Sequence, residues 1–245
     1  MVLDFSERSL SARSCCALVY AWLFCMTKFH KISEASELVN YAELQIASNF
    51  SFLRGASHPE ELAITAAVLG LKAFAITDRN SVTGLVKAHL AAKQVGIRFV
   101  VGCHLEIVDG PDILVYPIDR AAYGRLTRLL TLGKRRVPKG NCEIFVDDLI
   151  DPDGLFAAGL GQVAAVIAPN TMESTFLEAL QEIRFKLKSD IYLAVSIRYL
   201  GNDRLALEQF ASLGVPLLAT NDVHAHALDR KALQDVLTCI REGCT

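Results

Sequence analysis

The chain has 245 residues, a net charge of −2 and 52% hydrophobic residues, a length that fits one large domain or two small ones. This composition excludes a disordered chain. The near-neutral charge excludes a protein that holds nucleic acid through its overall charge, so any such contact must come from a local patch.

The first forty residues differ from the rest. Residues 15–26 form an apolar run that is shorter than the roughly 20 residues needed to cross a bilayer. A signal peptide is an alternative, but acidic residues precede the run and no clear cleavage site follows it. We expect residues 1–40 to be an extension that is either non-native or disordered, with the natural start near Met26, and assign them no function.

The chain contains seven cysteines and no C-x-x-C pair. An odd number without that spacing predicts reduced thiols in a cytoplasmic protein rather than a disulfide framework or a zinc knuckle.

From Tyr41 onward, strand and helix patterns alternate. Apolar runs predict strands over 44–48, 72–77, 98–101, 105–108, 113–116, 163–167, 191–195 and 215–220. Periodicity and capping residues predict helices over 59–69, 82–95, 120–132 with Asp119 as cap, 173–188, 203–213 and 229–242, and a polar loop over 133–141.

Three of the predicted helices end in glycine and lead into a nearly unbroken apolar strand, at Gly70, Gly96 and Gly214. Such strands are covered on both faces and indicate a parallel sheet. About seven units over residues 41–245 favour a closed or distorted (β/α) barrel. A doubly wound open sheet is the alternative.

Polar residues follow several predicted strands. Asp78 follows one, His104 and Glu106 lie after another, and the last leads to Asp222, His224 and His226, with Asp112 nearby. If extended, the last three fall on one side of the chain, where carboxylate and imidazole could bind a divalent metal. Spacing alone favours hydrogen-bonded polar residues at a barrel rim over a metal centre.

A second feature is a basic segment. Its members are Arg125, Arg128, Lys134, Arg135, Arg136 and Lys139. A solvated basic surface is favoured over a phosphate-contacting patch, for which Lys134, Arg135 and Arg136 are the candidates.

Several stretches resemble the PHP (polymerase and histidinol phosphatase) domain. They are residues 48–62 (SNFSFLRGASHPEEL), 75–84 (AITDRNSVTG), 130–136 (LTLGKRR), 219–224 (ATNDVH) and 233–241 (LQDVLTCIR). The version they resemble is found at the start of bacterial error-prone DNA polymerases, relatives of the DNA polymerase III alpha subunit. The resemblance implies a distorted seven-stranded (β/α) barrel over residues 41–245, whose strand ends carry metal ligands. In metal-bearing members this site hydrolyses phosphoesters, and in some polymerases it removes 3′ nucleotides.

The resemblance also implies that the ligand set is degenerate here. The family's ligand positions fall on Gln45, Ala47, Arg54, Arg79, His104 and Asp112; only Asp222 and His224 match as ligands, and Asp78 keeps its motif identity. Arginines bring positive charge where cations would bind. We therefore expect no catalytic residue and no metal, or at most one on Asp222 and His224. Asp222 is expected to form a salt bridge with Arg54 or Arg79 instead.

The favoured function is that of the N-terminal PHP domain fragment of an error-prone (translesion) DNA polymerase, acting in replication and damage-induced repair synthesis. The resemblance implies a structural module without polymerase activity, since the palm that holds Mg in such polymerases is not in this chain. Its expected partners are the remaining polymerase domains, docked on an exposed apolar patch, and DNA through the full-length protein, with no membrane. No cofactor is expected.

The alternative is a free-standing PHP phosphoesterase or 3′–5′ exonuclease that uses Zn or Mn. It would draw on Asp222, His224, His226, Asp78 and His104. A metal-free small-molecule barrel enzyme is a weaker third alternative, because no pair of general base and nucleophile is evident.

Overall fold

The computed structural model describes residues 41–150, 161–187, 191–199 and 201–244. The predicted extension over residues 1–40 lies outside this part of the chain. No helix within the described ranges has the length and apolar character to cross a membrane.

The described strands form two sheets. The first is parallel and contains, in order, β1 (Ala42–Glu43), β2 (Ala73–Ile76) and β3 (Arg98–Val101). The second contains, in order, β4 (Cys103–Leu105), β5 (Ile113–Pro117), β6 (Gln162–Ile167), β7 (Ile191–Ser196) and β8 (Leu217–Thr220). The α/β class is therefore as predicted. The described strands are divided between two sheets, whereas the sequence favoured a single closed or distorted barrel.

One strand contradicts the expectation of a parallel arrangement. β5 runs antiparallel to both β4 and β6, while β6, β7 and β8 are parallel. The link between β4 and β5 spans only residues 106–112. A parallel pair needs a crossover of about a dozen residues or more, so this short link permits only a hairpin.

Along the described chain the helices alternate with strands or pairs of strands, and the last helix follows β8. They are α1 (Pro59–Val68), α2 (Leu85–Val95), α3 (Arg120–Arg135), α4 (Val146–Ile150), α5 (Ser174–Leu187), α6 (Asp203–Ala211) and α7 (Lys231–Glu242). Asp119 caps α3 as predicted, because its Oδ1 accepts a hydrogen bond of 2.6 Å from the backbone N–H of Ala122. The short helix α4 was not predicted.

The polar loop predicted from residue 133 begins later, because α3 continues to Arg135. Gly133 is buried inside the helix, where an added Cβ would lie 2.8 Å from Cys142 Sγ and from Ile144 Cγ1. This glycine serves close packing rather than helix termination.

Backbone pairing joins the two sheets at two places. After β1, Ile46 pairs in parallel with Val223, beyond β8. After β2, Arg79 pairs in parallel with His104 of β4, and the His104 N–H donates to the Asp78 carbonyl over 3.1 Å. The first pairing brings the segment after β1 next to the segment after β8, and the second brings the segment after β2 next to β4. Polar side chains of these segments therefore lie close together.

The core covers both faces of the strands. All four residues of β2 are buried, and Phe74 and Ile76 are completely inaccessible. Three apolar clusters surround the strands, and Leu114 of β5 belongs to the one that also contains Ala75 of β2. The four cysteines of the described ranges are free thiols, as predicted.

Candidate functional site

Asp78 lies directly after β2 and anchors the turn at residues 48–51. It is 1% exposed and accepts hydrogen bonds from the Ser48 N–H (2.8 Å), the Ser48 hydroxyl (2.8 Å) and the Ser51 hydroxyl (2.7 Å). Burial raises the pKa of Asp78 above its usual value, although these hydrogen bonds oppose the shift. Its carboxylate thus holds the first motif in place.

Glu106 contacts two arginines at the centre of the site. Its Oε1 accepts a short hydrogen bond from Nη1 of Arg79 and lies 3.5 Å from Nη2 of Arg54. Its Oε2 accepts from the Asn80 amide (3.2 Å), and its backbone N–H donates back to Asn80 Oδ1 (3.1 Å). Burial, followed by the charge of Arg79, lowers the pKa of Arg54 below its usual value. The two guanidinium groups are therefore held side by side on one carboxylate.

His104 and Asp112 form a second close contact next to this group, which is an ion pair when His104 is protonated. His104 Nε2 lies 2.8 Å from Asp112 Oδ2, and the same oxygen lies 3.5 Å from Nη1 of Arg79. Burial alone would raise the pKa of Asp112, but the hydrogen bond and charge of His104 and the charge of Arg79 hold it below its usual range.

Asp222 contacts the neutral amide of Gln45 and the imidazole of His224. Its Oδ1 accepts from Gln45 Nε2 (2.9 Å), whose own Oε1 accepts from the Thr220 hydroxyl (2.9 Å). Its Oδ2 lies 3.4 Å from His224 Nε2. Burial raises the pKa of Asp222, but the hydrogen bond and charge of His224, with the charges of His104 and Arg79, lower it overall.

The predicted salt bridge between Asp222 and Arg54 or Arg79 is wrong. Both arginines pair with Glu106, because the bridge between Arg79 and His104 brings the β4 end, and with it Glu106, within their reach. Arg79 acts on Asp222 only as a nearby charge. The sequence places Glu106 two residues after His104, on the same face of an extended segment, but did not identify it as the partner of the two arginines.

The predicted alignment of Asp222, His224 and His226 on one side also fails for the last residue. Asp222 has a φ of 49°, which breaks the extended geometry on which a period of two depends. His226 Nδ1 lies instead 2.8 Å from the buried Ser57 hydroxyl and 3.7 Å from Glu61. Ala47 is buried and contributes only its backbone N–H, which donates to Val223.

The three candidate phosphate contacts, Lys134, Arg135 and Arg136, have different surroundings. Arg136 forms a two-point ion pair with Asp148, with Nη2 to Oδ1 at 2.6 Å, and this hydrogen bond raises the pKa of Arg136. Lys134 instead lines an open groove together with Arg54 and Arg79. Arg135 is exposed and does not line that groove.

The residues present do not fit a PHP metal cluster. Alanine at 47 offers no side-chain donor, arginines stand at 54 and 79, and Gln45 directs its amide N–H at Asp222. Within the described ranges, no three His, Cys, Asp or Glu side chains converge to hold an ion. The His224 Nδ1 atom is buried without a hydrogen-bond partner among these residues.

Comparison with known proteins supports the resemblance seen in the motifs. The family model described as PHP domain matches residues 43–196. The chain is similar to the error-prone DNA polymerase of Caulobacter vibrioides, with 46% identity over 209 residues that cover 83% of this chain and 19% of that protein. It is also similar to the error-prone DNA polymerase 2 of Rhizobium meliloti, with 44% identity over 84% of this chain and 19% of that protein.

Among solved structures, an amidohydrolase from Chromobacterium violaceum has a similar fold. Its TM-score is 0.55 at 18% identity, with coverage of 75% of this chain and 87% of that chain. The chain thus spans about a fifth of the length of the polymerases that it matches. Since the family model covers more than half of the chain and its motifs follow the family's order, the protein belongs to the PHP domain family.

Proposed function

We propose that this chain serves as the N-terminal PHP domain of an error-prone DNA polymerase that acts in damage-induced repair synthesis in the cytoplasm. In this proposal it is a structural module with a degenerate metal site and neither hydrolyses phosphoesters nor polymerises DNA. The observation that carries the proposal is the placement of Arg54 and Arg79 on Glu106, where the family holds cations.

Electrostatics explains why these arginines oppose metal binding. Two like unit charges about 4 Å apart repel by about 4 kcal/mol at an effective dielectric constant of about 20, and a divalent ion would double that cost for each arginine. Glu106 and Asp112 are already engaged, because Glu106 contacts both arginines and Asp112 Oδ2 lies 3.5 Å from Nη1 of Arg79. The internal ion pairs therefore substitute for the ions and hold the same loops together.

An apolar stripe on α7 supports the structural role. Leu233, Val236 and Ile240 lie at helical spacing and are 41%, 54% and 60% exposed, and no residue of α7 is buried. An amphipathic helix with an uncovered apolar face is typical of an interaction site. We propose that the remaining domains of the polymerase cover this stripe.

We also infer that the two sheets close into the distorted seven-stranded barrel expected for this family. The pairings of Ile46 with Val223 and of Arg79 with His104 support closure at both sheet edges. β3 and β4 count as one bent strand interrupted at Gly102, where an added Cβ would lie 2.7 Å from Thr77 Cγ2.

Metal analysis and a phosphoesterase assay on the purified chain test the proposal. We expect no stoichiometric Zn or Mn and no hydrolysis of a model phosphodiester. A variant that carries Gln45→His, Ala47→His, Arg54→Asp and Arg79→His serves as a comparison, because it restores ligand chemistry at four degenerate positions and is expected to bind more metal. Stoichiometric metal in the unmodified chain, with hydrolysis lost in Asp222→Ala, would establish the phosphoesterase alternative.

A further inference from the structure

An open groove of about 900 Å³ runs past the degenerate site. We call it the basic groove. Its lining includes four cationic side chains, Arg54, Arg79, Lys134 and Lys139. Two carboxylates, Glu106 and Glu143, face the same space. The groove is therefore positively charged although the whole chain carries a net charge of −2.

The cations at the inner end of the groove are held in position. Glu106 fixes both guanidinium groups, and the side chains of Arg54 and Arg79 are 31% and 23% exposed. Burial lowers the pKa of Arg54, and the neighbouring charge of Arg79 lowers it further. A phosphate between the groove cations would relieve this repulsion and accept their remaining N–H groups.

An aromatic side chain stands at the wall of the groove. Phe52 is 83% exposed and lines the groove next to Arg54. The turn that carries it includes Leu53, with a φ of 58°. Helix α7 secures this turn, because Gln234 Nε2 donates to the Arg54 carbonyl (2.7 Å) and Arg241 Nη1 donates to the Leu53 carbonyl (3.2 Å).

We propose that the basic groove binds single-stranded nucleic acid, with backbone phosphates on the four cations and a base stacked on Phe52. Single-strand sites combine a positive channel that follows the backbone with exposed aromatic rings on which bases stack. An acidic peptide would match the charge but would not need the ring. This binding involves no hydrolysis, goes beyond the structural role proposed above and can stand or fail independently of it.

Binding is tested by the anisotropy of 3′-labelled oligomers of twelve thymidylates or twelve uridylates, titrated with the full 245-residue chain at several salt concentrations. We expect Phe52→Ala to weaken binding about tenfold without changing the salt dependence. Each phosphate contact contributes about 0.7 to the slope of log K against log salt. The pair Lys134→Ala and Lys139→Ala should therefore reduce that slope by about 1.4.

Two matched variants serve as controls. Phe185→Ala removes an aromatic ring that is 82% exposed, and Lys93→Ala removes an exposed lysine; neither residue lines the groove. Both are expected to bind like the unmodified chain. Equal binding of the two oligomers, or a preference for one, supports the proposal and identifies the type of strand. Lack of binding at low salt, an unchanged affinity in Phe52→Ala, or equal competition by polyglutamate would overturn it.

Discussion

His104 and Asp112 are joined by a 2.8 Å contact between Nε2 and Oδ2. The contact links the end of β4 to the start of β5. A contact between side chains thus spans the hairpin in which β5 reverses direction, and its strength depends on the ionisation of Asp112.

The first prediction concerns stability in acid. Because the pKa of Asp112 is lowered in the folded protein, the unfolded chain binds a proton at higher pH than the folded chain does. The contribution of Asp112 is therefore complete above the ordinary aspartate pKa of about 4 and is lost as the pH falls through the lowered value. Asp112→Asn should cost about 1 to 2 kcal/mol at pH 7 and reduce the loss of stability between pH 5 and pH 2, as measured by urea unfolding. An unchanged pH profile would contradict the role of this pair.

Local patterns were sufficient to predict most elements of the fold. Within the predicted strand 72–77, residues 73–76 (AFAI) are apolar without interruption, as a strand buried on both faces requires, and they form β2. Pro59 and the acidic residues after it marked the start of α1 correctly. These signals depend on neighbours in sequence, so no tertiary information was needed.

The spacing of residues in the sequence could not show which side chains of the site pair with one another. Whether Arg79 meets Asp222 or Glu106 depends on the pairing of Arg79 with His104, a contact between distant segments. The antiparallel direction of β5 and the burial of Gly133 are likewise tertiary facts. The hydrogen bonds among these site residues were therefore not predictable from the sequence.

The second prediction concerns Asp78. Asp78→Ala removes the acceptor of three hydrogen bonds from Ser48 and Ser51 in a buried environment, and each unsatisfied buried donor costs about 1 to 3 kcal/mol. We expect a loss of at least about 2 kcal/mol in the free energy of unfolding. Asp229→Ala, at an exposed position, is the control and should stay within about 0.5 kcal/mol. Equal effects of the two variants would show that Asp78 does not hold the turn.

The third prediction concerns the apolar stripe of α7. Val236→Glu combined with Ile240→Glu should change the free energy of unfolding by less than about 0.5 kcal/mol per site, because both side chains are more than half exposed. The same variant should bind less of a hydrophobic dye such as anilinonaphthalene sulfonate, since the stripe is a continuous apolar surface. Strong destabilisation would mean that the stripe is covered within this chain, which would remove the docking surface from the proposal.

The fourth prediction compares two glycines of the same helix, α3. Alanine is favoured over glycine in helices by about 1 kcal/mol. At Gly124 nothing lies within 4 Å of an added Cβ, so Gly124→Ala should stabilise the protein by about 0.5 to 1 kcal/mol.

At Gly133 an added Cβ meets Cys142 Sγ and Ile144 Cγ1 at 2.8 Å and the Glu143 carbonyl oxygen at 2.9 Å. This overpacking typically costs about 1 to 3 kcal/mol, which exceeds the gain in helix propensity because one of the three contacts is with backbone that cannot turn away. Gly133→Ala should therefore destabilise the protein in the thermal unfolding experiment in which Gly124→Ala stabilises it. If both substitutions stabilise the protein, or both destabilise it, then α3 does not pack closely against residues 142–144. The helix end that carries Lys134 into the basic groove would then be placed differently from the structure described above.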